Sequence, residues 1–250
     1  MKGKLYVVGI GPGAYEEMTI RAAAVLQEAD VIVGYTVYVD LVRDHFPGKT
    51  YLTTGMRREE ERCRLALDEA QKGQTVAMIC SGDAGVYGMA SLILEMAAAE
   101  GADSPVIEVI PGVTAALSGA AVLGAPLIHD FCLISLSDLL TPGEKIEKRL
   151  LHAAEADFVI VLYNPSSRRR ADYLQKACDL CLKFRSPGTI CGYVRNIGRE
   201  GMEKKVMTLS RLREEQVDMF TTVFIGNSQT RSQGEWMVTP RGYDSEKGLS

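Results

Sequence analysis

Apolar runs of strand length alternate along the chain with stretches whose apolar positions recur at helical spacing. In the first half, this pattern predicts strands at Leu5–Val8, Val31–Gly34, Tyr51–Leu52, Thr75–Cys80 and Val106–Ile110. Helices are predicted at Thr19–Glu28, Glu59–Lys72 and Met89–Glu100, and a helix rich in small residues runs up to Leu123. The stretch Tyr35–Asp40 reads either as a cleft lining with three hydroxyls or as a short amphipathic helix. After Gly124-Ala125-Pro126, which has the character of a hinge, the pattern restarts. Strands are predicted at Phe131–Leu136, Phe158–Tyr163, Thr189–Val194, Lys205–Leu209 and Thr221–Ile225, with helices at Gly143–Ala154 and Arg170–Lys183. The alternation predicts an α/β protein in two halves, residues 1–125 and 126–250, each of ordinary domain size. The mixture of Glu and Arg on the Glu59–Lys72 helix reads as a solvated face, and the polar tail after Trp236 as poorly ordered.

Three predicted strands of the first half end in glycine-rich loops. These are Gly9-Ile10-Gly11-Pro12-Gly13, Ser81-Gly82-Asp83-Ala84-Gly85-Val86-Tyr87-Gly88 and Pro111-Gly112-Val113-Thr114-Ala115. Ligands of open α/β sheets sit at the carboxyl ends of strands, so these loops are the candidate chemistry of the chain. The spacing Gly9-x-Gly11-x-x-Ala14 fits a dinucleotide fingerprint, but two features argue against a pyrophosphate. Pro12 removes a backbone donor, and the second strand ends in Gly34 with its nearest acid, Asp30, before it rather than after. Asp83 presents either a carboxylate acceptor to a ligand or a helix cap.

With 250 residues, 46% hydrophobic and 24% charged, the chain is an ordinary globular composition with room for a sizeable core. No apolar run approaches the roughly 18 residues of a membrane span, and Lys2 and Lys4 lead straight into a strand, so a cytoplasmic protein without a membrane segment is expected. A net charge of −4 argues against a nucleic-acid partner, which demands many cationic contacts. Among the six cysteines, Cys178-Asp179-Leu180-Cys181 has metal-like spacing, but no second pair or nearby histidine completes a ligand set. Buried thiols and no metal are expected.

In their order and at these strand ends, Gly9–Gly13, Ser81–Gly88 and Ile110–Ala115 resemble the tetrapyrrole methylases, over nearly the whole chain. Further segments are similar to the members that act on precorrin-3B, or on cobalt-factor III, in cobalamin biosynthesis. They are Ala84-Gly85-Val86-Tyr87-Gly88, His129-Asp130-Phe131, Ile134–Asp138, Tyr163-Asn164-Pro165-Ser166, Arg195–Glu200 and Phe224–Ser228. The resemblance implies two α/β domains, each a mixed β-sheet flanked by helices, with the active-site cleft between them and usually a homodimer. It implies methyl transfer from S-adenosylmethionine, released as S-adenosylhomocysteine, to C17 of a tetrapyrrole, with expulsion of C20 from the ring.

On that resemblance, Gly11, Pro12, Gly13, Gly82, Asp83, Ala84, Val86, Tyr87, Thr114 and Ala115 are expected to hold the cofactor, joined by Tyr163 and Asn164. Arg57, Arg195 and Arg199 are the expected partners of the substrate carboxylates, with Arg58 and Arg168–Arg170 also available; the last run reads equally as a solvated helix start. Ring contraction moves protons, and His129 with Asp130 is the expected acid/base pair; the same pair reads equally as a stabiliser of the domain junction. Two other functions remain open: methylation at another carbon of a cobalamin precursor, and a non-catalytic nucleotide-binding module. Metal-free and cobalt-containing macrocycles are both compatible with these residues.

Overall fold

The computed structural model describes residues 3–101, 104–167 and 171–243; Arg168, Arg169 and Arg170 lie outside them. The chain divides into two compact units, Met1–Ala115 and Ala116–Ser250. The division falls ahead of the expected hinge, so the small-residue helix goes with the second unit.

The first unit runs β1 (Lys4–Gly9), α1 (Ile20–Glu28), β2 (Val31–Tyr35), α2 (Thr36–Val42), β3 (Thr50–Thr54), α3 (Glu59–Gln71), β4 (Thr75–Cys80), α4 (Ala90–Glu100) and β5 (Val106–Ile110). Its sheet has the order β3-β2-β4-β1-β5, and every pairing is parallel. Mixed pairing is therefore confined to the other unit. A parallel sheet covered on both faces needs strands that are apolar throughout, which is how Leu5–Val8 and Val76–Ile79 read. Alternate residues serve opposite faces: Leu5, Val7 and Met78 pack with Ala66, Leu67 and Ile93. Tyr6, Val8 and Ile79 pack with Val25, Leu26 and Val39. The Tyr35–Asp40 stretch is largely helix α2, as in the second of its two readings. Helix α3 departs from the expected solvated face, because Arg62 lies on its buried stripe with Cys63, Ala66, Leu67 and Ala70.

The second unit begins with α5 (Ala115–Leu123) and β6 (Gly124–Ala125), followed by β7 (Phe131–Ser135), α6 (Gly143–Glu155), β8 (Val159–Tyr163), α7 (Tyr173–Cys181) and β9 (Ile190–Arg195). It closes with β10 (Glu203–Thr208), α8 (Leu209–Leu212), β11 (Thr221–Ile225), β12 (Arg231–Gln233) and β13 (Trp236–Val238). The main sheet has the order β10-β9-β11-β8-β7, with β7 parallel to β8 and the other pairings antiparallel. Cys178 and Cys181 are buried on α7 and belong to the core with Cys191. The expected hinge residues Gly124 and Ala125 are a strand, paired with Met237 and Val238. This corrects the reading of the tail up to residue 239. Met237 and Thr239 are buried, and Thr239 donates its hydroxyl to the Pro126 carbonyl at 2.7 Å. No helix among the described residues is long and apolar enough to cross a membrane.

Candidate functional site

Strands β4, β1 and β5 are neighbours, so parallel pairing brings the three glycine loops to one edge of the first sheet. The loops meet backbone to backbone. Gly11 N–H donates to the Gly82 carbonyl at 3.1 Å, and Gly82 N–H returns a bond to the Gly11 carbonyl at 2.7 Å. Gly82 holds φ +68°, a conformation that glycine adopts without steric cost. A Cβ on Gly112 would lie 2.2 Å from the Gly82 carbonyl oxygen and 2.6 Å from the Gly9 carbonyl. Gly9 and Gly112, omitted from the expected site residues, are thus part of its frame. Thr19 caps α1 by accepting from Ala22 N–H at 3.1 Å and donates to the Pro111 carbonyl at 3.3 Å, tying the helix to the third loop.

Asp83 fixes this edge rather than presenting a free carboxylate. Its Oδ1 accepts from Gly85 N–H at 2.8 Å and Val86 N–H at 3.1 Å, and its Oδ2 accepts from Gly112 N–H at 3.0 Å. The carboxylate therefore shapes the second loop and clamps it to the third. It does not cap α4, whose N-cap is Met89 without a side-chain bond. Ala84, Thr114, Gly11 and Pro12 are buried, whereas Tyr87 is exposed and left-handed at φ +54°. Left-handed backbone at a non-glycine residue is strained, and such residues concentrate at functional sites.

The chemistry of this edge suits a ligand without phosphate. Helix α1 begins at Ile20, after a 3-10 turn at Tyr15–Glu17, so no long helix N-terminus follows Gly13 directly. Residues 9–13, 81–88 and 111–115 contain no lysine or arginine, and Asp83 is their one charged side chain. With no cation among these residues and the Asp83 carboxylate already taken by three backbone N–H groups, the edge offers little to a pyrophosphate.

The second unit has an edge of a different kind. Strands β7, β8 and β9 run in one direction, which brings Ser135, Tyr163 and Arg195 to the same end of the sheet. Tyr163 uses its hydroxyl to accept from Ala116 N–H at 2.8 Å, holding the start of α5. Asn164, left-handed at φ +53°, donates to Ser135 Oγ at 2.9 Å, and Ser135 Oγ also accepts from Ser137 N–H at 3.3 Å. Ser135 is a further residue absent from the expected set. Arg195 pairs with Glu203 at 3.0 Å, while Arg199 lies with its guanidinium carbon 5.7 Å from the Phe220 ring centroid.

His129 and Asp130 are not brought to that end. They precede β7 and therefore stand at the amino end of the strand, about 15 Å from its carboxyl end at the usual rise per residue. His129 Nε2–H donates to the Pro240 carbonyl at 2.8 Å, and the Asp130 carbonyl accepts from Val159 N–H at 3.1 Å. Both contacts fasten chain segments of the second unit. Of the expected arginines, Arg57 is exposed, at φ +63° in the loop after β3.

Comparison with known proteins adds to this geometry. The description of the tetrapyrrole (corrin/porphyrin) methylases matches residues 4–213. The chain is 50% identical to a probable cobalt-factor III C(17)-methyltransferase of Salmonella typhimurium, covering 96% of this chain and 99% of that protein. It is 40% identical to a precorrin-3B C(17)-methyltransferase of a Sinorhizobium species, covering 97% and 98% of the two chains. Among solved structures, the methyltransferase CobJ superposes with a TM-score of 0.88 at 38% identity, over 95% of this chain and 100% of that one.

Proposed function

The chain belongs to the tetrapyrrole (corrin/porphyrin) methylases, and from that premise we propose that it methylates C17 of cobalt-factor III or precorrin-3B in cobalamin biosynthesis. The observation that carries this reading is the glycine edge of the first unit: three interlocked loops, bare of cations, clamped by Asp83. S-adenosylmethionine, when bound, supplies an electrophilic methyl; its carbon–sulfur bond breaks as the new carbon–carbon bond forms, and the sulfonium becomes the thioether of S-adenosylhomocysteine. The residues of this chain contribute alignment, which dominates such a transfer. Backbone groups of Gly11–Gly13, Gly82–Tyr87 and Thr114–Ala115 are the proposed cofactor contacts, with Asp83 holding the loops in register. Arg57, Arg195 and Arg199 are the proposed carboxylate partners. His129 has, in this reading, the anchoring role favoured by its bond to Pro240 rather than an acid/base role.

We place the enzyme in the cytoplasm as a homodimer. Its free thiols suit a reducing compartment, and β5 is an edge strand with Val106 and Val109 exposed. The test is turnover. Purified protein with S-adenosylmethionine and either macrocycle should yield a product heavier by one methyl, with the changed absorption of a contracted ring. Asp83→Asn should weaken S-adenosylhomocysteine binding by about tenfold, because its amide would turn a donor toward Gly112 N–H or toward Gly85 N–H. Binding of the cofactor without methylation of either macrocycle would reject the reading.

A further inference from the structure

A buried guanidinium that has no carboxylate partner among the described residues lies at the same edge as the glycine loops. Arg62 on α3 is 5% exposed. Its Nη2 donates to the Gly55 carbonyl at 3.0 Å, its guanidinium carbon lies 5.8 Å from the Tyr35 ring centroid, and its Nε is buried with no acceptor. Tyr35 ends β2 and Gly55 follows the end of β3, so the group sits at the carboxyl end of the sheet. The next strand across, β4, carries the Gly82 loop at that same end.

Among the described residues, none neutralises that charge. Glu61 pairs with Arg58, and no carboxylate forms an ion pair with Arg62 among the described residues. Asp83 has both oxygens occupied by backbone N–H groups. The neighbouring thiols stay protonated: burial pushes Cys63 up to about 12 and Cys80 up to about 11. The other arginine buried among the described residues shows how the fold treats a guanidinium it uses for itself. Arg185 also leaves Nε without an acceptor, but Asp157 neutralises its charge and the Phe158 carbonyl accepts from Nη2 at 2.8 Å. An unpaired buried cation is costly to a fold, and buried charges are as a rule paired.

Resting on the function proposed above, we propose that Arg62 is the receptor for a ligand carboxylate at this edge, a rim carboxylate of the macrocycle. Thr54, whose buried Oγ1 also has no hydrogen-bond partner, and the loop Gly55–Arg58 with its exposed Arg57 and Arg58 form the surroundings of that receptor. A guanidinium edge meets a carboxylate in two parallel bonds, which sets the orientation of the ring as well as its affinity. The methionine carboxylate of the cofactor offers the same chemistry, and the experiment separates the two sources.

Calorimetry is run on wild type, Arg62→Met and Arg62→Lys with uroporphyrin as a carboxylate-bearing macrocycle and with S-adenosylhomocysteine, alongside thermal unfolding of the free proteins. Arg62→Met should lower macrocycle affinity by about tenfold or more, leave S-adenosylhomocysteine affinity within about twofold, and leave Tm equal or higher, since a buried unpaired charge is removed. Arg62→Lys keeps the charge but loses the fork, and should fall between. Loss confined to S-adenosylhomocysteine would keep the carboxylate receptor and overturn its assignment to the macrocycle. Retained affinity for both ligands with a lower Tm, or an Arg62→Met protein that fails to fold while Arg62→Lys binds both as wild type does, would overturn the proposal. Failure of the functional reading looks different: wild type would bind both ligands and transfer no methyl.

Discussion

The two sheets expose carboxyl-end edges built on opposite principles. The edge of the first is backbone against backbone, with no room for a Cβ on Gly9 or Gly112, Gly82 held at φ +68°, and one carboxylate stitching the loops. The edge of the second is made by side chains: Tyr163 on Ala116, Asn164 on Ser135 and Arg195 on Glu203. A backbone edge gives a rigid cradle with almost no freedom for substitution, whereas each side-chain contact is a separate contribution near the size of one hydrogen bond. Under the proposed function, the first suits a cofactor shared across a family, and the second suits variation in what is acted on.

The largest expected effect follows from that rigidity. Gly112→Ala would drive a Cβ to 2.2 Å from the Gly82 carbonyl, where the obstacle is backbone and not the flexible end of a side chain. The substitution should cost about 3 kcal/mol or more and abolish cofactor binding together with folding of the edge. Chemical denaturation and calorimetry with S-adenosylhomocysteine check it. A Gly112→Ala protein as stable as wild type and binding as well would refute the comparison at its root.

The second effect concerns pH and sets the interiors of the two units against each other. Burial raises the thiols of Cys178 and Cys181 to about 12, Cys132 to about 11 and Cys191 well above its ordinary value, all in the second unit. The first unit has Cys63 raised to about 12 and Cys80 to about 11. Folded values above the unfolded one, near 9, mean that this contribution is fully present below about pH 9. It is lost as pH rises from there toward 12, because the unfolded chain ionises first. With four such thiols against two, the second unit should lose protection first on going from pH 8 to pH 10.5. Hydrogen exchange resolved by peptide reads this directly, and the reverse order would show that the thiols do not set alkaline stability.

Much of this architecture is legible in the chain because its punctuation is local. The glycine loops, the strands they end and the rejection of a pyrophosphate all rest on neighbours in sequence. Arg62 was hidden by the acids beside it, Glu59, Glu60 and Glu61, although its spacing to Ala66 and Ala70 places it on the buried stripe. β13 was invisible for another reason: its partner is Gly124–Ala125, more than a hundred residues away, so a short run that looks like a tail is completed by a distant strand. The clamp made by Asp83 depends on Gly112 N–H, again a contact across the sequence. His129 and Asp130 were legible as an adjacent acid/base pair, but their position at the amino end of β7 only counts once β7, β8 and β9 are known to point the same way.

The smallest expected effect sharpens the contrast between the edges. Tyr163→Phe keeps the ring and removes only the hydroxyl that accepts from Ala116 N–H at the start of α5. That N–H belongs to the first turn of the helix, where no carbonyl of the helix itself reaches it, so the loss should be about 1 kcal/mol. The protein should remain folded, and S-adenosylhomocysteine affinity should stay near wild type, since the hydroxyl is engaged with backbone. A change of about 1 kcal/mol in unfolding free energy with unchanged binding fits an edge assembled from separable parts. A tenfold loss of cofactor affinity at unchanged stability would instead return Tyr163 to the cofactor contacts and erase the distinction drawn between the two edges.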